Sequence, residues 1–331
     1  MGVGALSQNA IPGLISGFRF QDGHPVEGPQ LDIGAVEHTQ RGHGDFVWLH
    51  FSLADRQSHQ WIASRFDLPA AGLDLFLSND EQPRIEPFGP YLIGVLPDLS
   101  QAFDSAADDS VRVSFILGER LLVTGRRRPG QSVHQVRGTM TRESAFDTPA
   151  ALFAQVLQQF VERVEKLADG LSDELELIED RVLENQPIND SERLAPLRQL
   201  AARLHRLIRT YRRALRRYQR HRDTLAPRFP AEVVVERLED LDSEFEEIAS
   251  RSRLLHDEMV AKLAGQTNRT LYTLSALTAL FLPPTLVVGF FGMNFSALPF
   301  LDNPFGFWIG LSLCLLSSFA VLVFIWARES R

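Results

Sequence analysis

The sequence predicts an α/β cytoplasmic domain followed by long stalk helices and two C-terminal transmembrane helices. Three observations carry that prediction. No charged residue lies between Thr270 and Leu301, and none lies between Asn303 and Ala327. After Pro149 the apolar residues recur at helical spacing until the first of those stretches begins. Before Pro149, short runs of strand-forming residues alternate with helix-like pieces.

Residues 1–147 form the expected α/β domain. VWLHF at 47–51 and YLIGVL at 91–96 are apolar runs enriched in strand formers. VRVSFIL and RLLVTG flank Gly118-Glu119, a plausible hairpin turn. Residues 52–66 read as a helix with Leu53, Trp61, Ile62 and Phe66 on one face.

Three polar features of this domain bear on function. GRRRPGQS at 125–132 follows a strand and precedes a helix, as a phosphate-binding loop does. Gln131 stands where the lysine belongs and Pro129 removes an amide donor, so a basic turn is the better reading. His38, His43, His50 and His59 contain no i, i+4 pair that would prepare a zinc site on a helix. Asp104, Asp108 and Asp109 could attract divalent ions but read better as a solvated loop.

Residues 148–229 read as a cytoplasmic helical hairpin. Leu152, Val156, Phe160, Val164, Leu167, Leu171, Leu175 and Ile178 make one apolar stripe on a helix rich in acids. NQPIND at 185–190 breaks it. The next helix turns Leu197, Leu200, Leu204, Leu207, Ile208, Tyr211 and Leu215 inward and carries a dense arginine series from Arg193 to Arg222. Such a run suits nucleic acid or anionic lipid. Acidic helices precede and follow it, however, and neutralisation by those neighbours is the preferred reading.

Residues 230–291 read as one stalk helix continuing into the first span, because no proline falls between Ala231 and Leu282. At ~1.5 Å per residue its sixty residues make a rod of about 90 Å. Residues 292–303 form a periplasmic loop, 304–327 the second span and 328–331 a cytoplasmic tail. A bilayer core takes ~20 apolar residues per helix, so each uncharged stretch crosses once. Lys262 and Arg269 precede the first span, Arg328 and Arg331 follow the second, and the loop has no Lys or Arg. The positive-inside rule therefore puts both termini in the cytoplasm. The opening residues lack a basic n-region and a continuous apolar core, so no cleaved signal peptide is expected.

Composition agrees with this plan and narrows the chemistry. The mean hydropathy of -0.09 reflects a long polar region diluting two apolar segments. A net charge of -8 argues against nucleic acid as a partner. The single cysteine, Cys314, excludes a disulfide within the chain and a cysteine-based zinc cage. No nucleophile–base constellation stands out, so catalysis is not expected and no cofactor is implied.

Two spans per chain cannot enclose a polar path, since each helix satisfies its own backbone and only a ring of helices leaves a lumen. Homo-oligomerisation follows from that geometry. On the first span Asn268, Leu271, Leu274 or Ser275, Thr278, Leu282, Thr285 and Gly289 recur at intervals of three or four, ending at Asn294. The leucines would form a hydrophobic constriction able to gate by dewetting, and the threonines and asparagine offer neutral oxygens. Helix packing through small residues produces the same spacing. No carboxylate lies in the span, so the fitting cargo is a hydrated or partly hydrated divalent ion.

The run TLYTLSALTALFLPPTLVVGFFGMNF, followed by LPF and a terminal span, resembles the CorA superfamily of divalent-cation transporters, whose signature Gly-Met-Asn is matched by Gly292, Met293 and Asn294. Within it, SVRVSFILGERLLVTGRRRPGQSV, VWLH and QPRIEPFGPYLIGVL are similar to the ZntB zinc transporter branch. Leu298-Pro299-Phe300-Leu301 also departs from the Met-Pro-Glu-Leu of the magnesium branch, although ZntB members often replace the Met that this chain keeps as Met293.

The resemblance implies a funnel-shaped homopentamer in the bacterial inner membrane. Gly292, Met293 and Asn294 would form the ion entrance, with Asn294 meeting the hydrated metal. Gly289, Thr285, Leu282, Thr278, Leu274, Leu271, Asn268 and Asp257 would line the pore. The acidic regulatory site of the magnesium branch falls here at Val233, flanked by Glu232 and Glu236. ZntB-like proton coupling would use His256, Asp257 or the loop acid Asp302. The expected function is Zn2+ transport across the membrane. The alternatives are a CorA-type Mg2+/Co2+/Ni2+ channel and a membrane-anchored binding protein whose basic helix recruits an anionic partner.

Overall fold

The computed structural model of the chain describes residues 11–27, 45–78, 82–100, 110–141, 144–184, 191–220, 225–293 and 305–329. It divides into two compact units, Met1–Leu254 and Leu255–Arg331.

The first unit is built on a seven-stranded mixed sheet. Its strands are β1 (Leu14–Gln21), β2 (His24–Glu27), β3 (Phe46–Ser52), β4 (Arg84–Phe88), β5 (Tyr91–Leu99), β6 (Ser110–Leu117) and β7 (Leu121–Arg126), in spatial order β2-β1-β3-β7-β6-β5-β4. All neighbours are antiparallel except β3 and β7, which run parallel with Leu49 opposite Val123 and His50 opposite Thr124. The expected hairpin at Gly118-Glu119 joins β6 to β7, closed by Gly118 N–H donating to Leu121 O at 2.7 Å. A second hairpin, β1–β2, turns at Asp22 and Gly23, which both have positive φ (51° and 81°). Glycine tolerates that conformation and Asp accepts it better than most residues.

Successive strand residues face opposite ways, so each face of the sheet has its own core. On one face Val47, Leu49, Phe51, Ile93, Ile116 and Val123 pack against helices α1 (Arg56–Arg65) and α2 (Ala70–Leu77) through Ile62, Phe66, Leu75 and Phe76. α1 starts after Asp55, whose side chain accepts the N–H of Gln57, so it begins later than expected and Leu53 precedes it; of the expected face Leu53, Ile62 and Phe66 are buried and Trp61 is half-buried. On the other face the ring of Phe115 meets Phe153 at 4.1 Å. Phe153 belongs to α4 (Pro149–Leu183), capped by Thr148 with Pro149 in the first turn. The short helix α3 (Ser132–Thr139) lies between sheet and α4 in sequence.

In α4, Leu152, Val156, Phe160, Val164, Leu171, Leu175 and Ile178 are buried as the spacing predicts. Leu167 is only half-buried, and Ala168 takes its place in the stripe. α5 (Ser191–Arg220) buries Leu197, Leu204, Ile208, Tyr211 and Leu215, whereas Leu200 and Leu207 lie at its margin. The Tyr211 ring stacks on Phe160 at 4.4 Å. α6 is continuous from Glu232 to Phe291, with Pro283 and Pro284 inside it, and α7 runs from Gly306 to Glu329.

The charges of α4, α5 and α6 pair across helices. Arg193 of α5 meets Glu174 of α4, while Arg212 and Arg216 meet Asp242 and Glu239 of α6. Partner numbers fall as α5 numbers rise, on α6 from Asp242 to Glu239 and on α4 from Glu174 at Arg193 to Phe160 at Tyr211, so α5 runs antiparallel to both neighbours. The basic helix is thus neutralised in part within one chain. Arg237 and Arg251 of α6 each clamp a carboxylate of α4, Glu165 and Glu179, with the same separation of 72 residues. A constant separation means that α4 and α6 run parallel and in step.

Candidate functional site

The glycine-rich turn 125–132 is occupied by the protein itself. Arg127 donates to Leu53 O at 3.0 Å and to Leu77 O at 2.7 Å. Gln131 N–H donates to Leu99 O, and Ser132 offers its N–H and its hydroxyl to the buried Asp98 carboxylate. A Cβ on Gly130 would strike Asp98 Oδ2. The amides that a phosphate would need are therefore taken by an internal carboxylate and a carbonyl. Burial raises the Asp98 pKa to about 6 against the pull of those donors.

Of the four histidines, the two among the described residues are each engaged separately within the domain. His50 is buried, with Nδ1 2.9 Å from Thr124 Oγ1, which also accepts from Trp48 Nε1 at 3.0 Å. Burial and the nearby Arg126 and Arg137 lower its pKa to about 3, so it is a neutral core residue. His59 Nε2 lies 2.9 Å from Leu53 O. His38, His43, Asp104, Asp108 and Asp109 lie outside the described residues.

The second unit holds the two apolar helices. Both are long and apolar enough to cross a membrane, and no residue of either apolar window is buried in the chain. That distinguishes them from the core helices of the first unit. From Thr270 on, the half-buried positions of α6 are Ala276, Leu280, Pro283, Pro284, Val287 and Phe291. Those of α7 include Gly310, Cys314, Ser317, Ser318, Val321 and Ile325. Each set repeats every three or four residues, and Cys314 Sγ lies 3.8 Å from Pro284 O, so these are the faces on which the two helices pack. Small residues supply much of the α7 face, which allows close approach.

Leu271, Leu274, Thr278, Leu282, Thr285 and Gly289 are all exposed. At ~100° per residue they centre about 180° around α6 from the face that meets α7. Asn268 and Asp257 are exposed on the same helix, within about 70° of that stripe. Thr278 and Thr285 donate their hydroxyl protons to Leu274 O and Phe281 O, at 2.9 and 2.7 Å. With the proton directed along the helix, each hydroxyl oxygen is left as an acceptor, the role a cation requires. Pro283 and Pro284 have no N–H, so the carbonyls of Ala279 and Leu280 lack their usual intrahelical donors.

α6 ends at the tripeptide. Gly292 N–H donates to Val288 O at 2.9 Å and Met293 N–H to Phe290 O at 3.4 Å, a tightened last turn. A Cβ at Gly292 would lie 3.0 Å from Val288 O. Asn294 and Asp302 lie outside the described residues. Val233 is exposed, between exposed Glu232 and Glu236. One grouping was not foreseen: His205 of α5 lies beside Asp242 and Glu246 of α6. The acids stand out in the sequence, but the histidine is hidden among arginines and its partner is 37 residues away.

Comparison with known proteins places this geometry. Residues 43–328 match the family model described as CorA-like Mg2+ transporter protein. The divalent cation transporter CmaX of Pseudomonas aeruginosa is 25% identical over 285 residues, 85% of each chain. The zinc transport protein ZntB of Pectobacterium carotovorum is 25% identical over 305 residues, 88% of this chain and 91% of its own. The solved structure of full-length CmaX superposes with a TM-score of 0.79 at 23% identity, covering 98% of this chain and 99% of its own. The family-model match over residues 43–328 settles the family: the chain belongs to the CorA-like family of divalent-cation transporters.

Proposed function

We propose that the chain transports a divalent cation, Zn2+, through a homopentameric pore in the bacterial inner membrane, with both termini in the cytoplasm. The observation that carries this reading is the stripe Leu271–Leu274–Thr278–Leu282–Thr285–Gly289, on the side of α6 turned away from α7. A helix that packs a partner on one side and presents neutral oxygens and leucines on the other suits a ring around a lumen. Gly292, Met293 and Asn294 form the mouth in this scheme. Asn294 and the backbone oxygens receive the ion with part of its water, since no carboxylate stands in the span. Asn268 and Asp257 lie at the cytoplasmic end. Zinc as cargo is supported by the ZntB relatives, which align over most of their length. Proton coupling, if zinc uptake uses it, falls to His256, Asp257 or Asp302, which lie outside the two uncharged stretches.

A second reading, a Mg2+/Co2+/Ni2+ channel, is favoured by the retained Met293 in Gly292-Met293-Asn294. Recruitment of an anionic partner by α5 has less support, because several of its arginines are engaged by Glu174, Asp242 and Glu239. The test is flux of Zn2+ and Mg2+ into proteoliposomes, with and without a pH gradient. Zn2+ flux that Asn294→Ala abolishes is expected. Mg2+ flux without Zn2+ flux transfers the cargo to the second reading, and no flux of either ion overturns transport.

A further inference from the structure

We infer that His205, Asp242 and Glu246 form a cytoplasmic binding site for a borderline divalent cation, Zn2+ or Co2+ rather than Mg2+, separate from the transport path and within a single chain. Among the described residues this is the one place where three such side chains bring their ligand atoms within 4.8 Å of one another. His205 Nε2 and Asp242 Oδ1 are 3.0 Å apart, across the contact between α5 and α6. Asp242 and Glu246 are one turn apart on α6, which sets both carboxylates on the same side of the helix as His205. Donors bound to one tetrahedral metal at ~2.1 Å are separated by about 3.4 Å, within reach of small rotations from the present positions.

The donor set decides the ion. One imidazole nitrogen and two carboxylates suit zinc and cobalt, whereas Mg2+ prefers oxygen alone and keeps most of its water. Arg212 Nη1 holds the other oxygen of Asp242 at 2.8 Å, which leaves Oδ1 aimed at His205. The ion pair fixes the orientation of the carboxylate, as outer partners of a ligand carboxylate do. The side chains of His205 and Asp242 are mostly buried, at 19% and 13% exposure, and Glu246 opens the cluster to solvent. Metal can therefore enter without unfolding the helices, and once bound it ties α5 to α6.

The experiment uses the full-length chain in detergent, titrated with Zn2+ by calorimetry and with Co2+ by visible absorption, in excess Mg2+. Glu246 is exposed, so Glu246→Gln keeps the fold; His205→Gln is the second variant, and Asn294→Ala leaves this site intact. Expected are Co2+ ligand-field bands in the wild type and in Asn294→Ala, lost in His205→Gln, with Zn2+ affinity at least tenfold weaker in His205→Gln and Glu246→Gln. Zn2+ should also raise the Tm of the wild type but not of Glu246→Gln. Bands and affinity unchanged in both variants, or absent from the wild type, overturn the inference. Flux plays no part in these readouts, so failure of the transport reading and failure of this one are told apart.

Discussion

Asp98 holds Ser132 by two different groups, the backbone N–H at 3.1 Å from Oδ2 and the hydroxyl at 2.5 Å from Oδ1. Leu99 N–H adds a third donor at 2.8 Å. The carboxylate thus closes a turn that, in sequence, looks ready for a phosphate.

Ser132→Ala removes the hydroxyl donor from a buried carboxylate and should cost about 1–3 kcal/mol. Gly130→Ala should cost more, because the new methyl meets Asp98 Oδ2 where no flexible chain can yield. Chemical denaturation of the full chain, followed by fluorescence, measures both. Equal stability of Gly130→Ala and wild type would contradict the packing described.

His50 and Asp98 give the first unit two opposed responses to acid. The folded pKa of His50, about 3, lies below its unfolded value near 6.5, so its contribution is lost as pH falls from 6.5 toward 3. The folded pKa of Asp98, about 6, lies above its unfolded 3.8, so the folded state gains stability as pH falls from 6 toward 3.8. Each amounts to roughly 2–3 kcal/mol at pH 4.5, and they largely cancel. Relative to wild type, His50→Gln should gain stability on acidification from pH 7 to 4.5 and Asp98→Asn should lose it. Unfolding monitored through Trp48, which shares the Thr124 hydroxyl with His50, reads the difference. Variants with parallel pH profiles would remove these two groups as its cause.

Cysteine substitution tests the face of α6 proposed for the path. In a Cys314→Ser background, Cys at Thr278 or Thr285 should react with a charged, water-soluble thiol reagent and lose flux. Cys at Leu280 or Val287, which face α7, should react at least tenfold more slowly. The opposite order would turn the stripe into a packing face.

The clamps Arg237–Glu165 and Arg251–Glu179 are each about a third exposed, which limits their worth. A double-mutant cycle with Ala at both positions of either pair should give a coupling of about 0.5–1 kcal/mol that shrinks in high salt. Coupling near zero for both would mean that apolar packing alone sets the register.

Much of this architecture can be read in the residues. The spans, the change to helical spacing at Pro149 and strands β3, β5, β6 and β7 all rest on local patterns strong enough to stand alone. β4 was missed because Pro87 weakens a strand signal and is tolerated there only because the strand lies at the sheet edge. The apolar run of β1 is interrupted at Gly17, although Asp22-Gly23 is a good hairpin signal that marks its end. The stripe on α6 was legible as a spacing, but spacing cannot say which side meets a neighbour; the half-buried residues of α6 and α7 do. The roles of Asp98 and of His205 could not be found, since each depends on a partner more than thirty residues away.

The equal 72-residue separations have a mechanical meaning. The two clamps sit two heptads apart on the same pair of helices, so a slide of α4 along α6 by part of a turn would open both at once. Tilting or bending the pair opens neither. N-terminal to Leu254 the two clamps therefore report one shared register of α4 and α6, adding to the apolar packing between them.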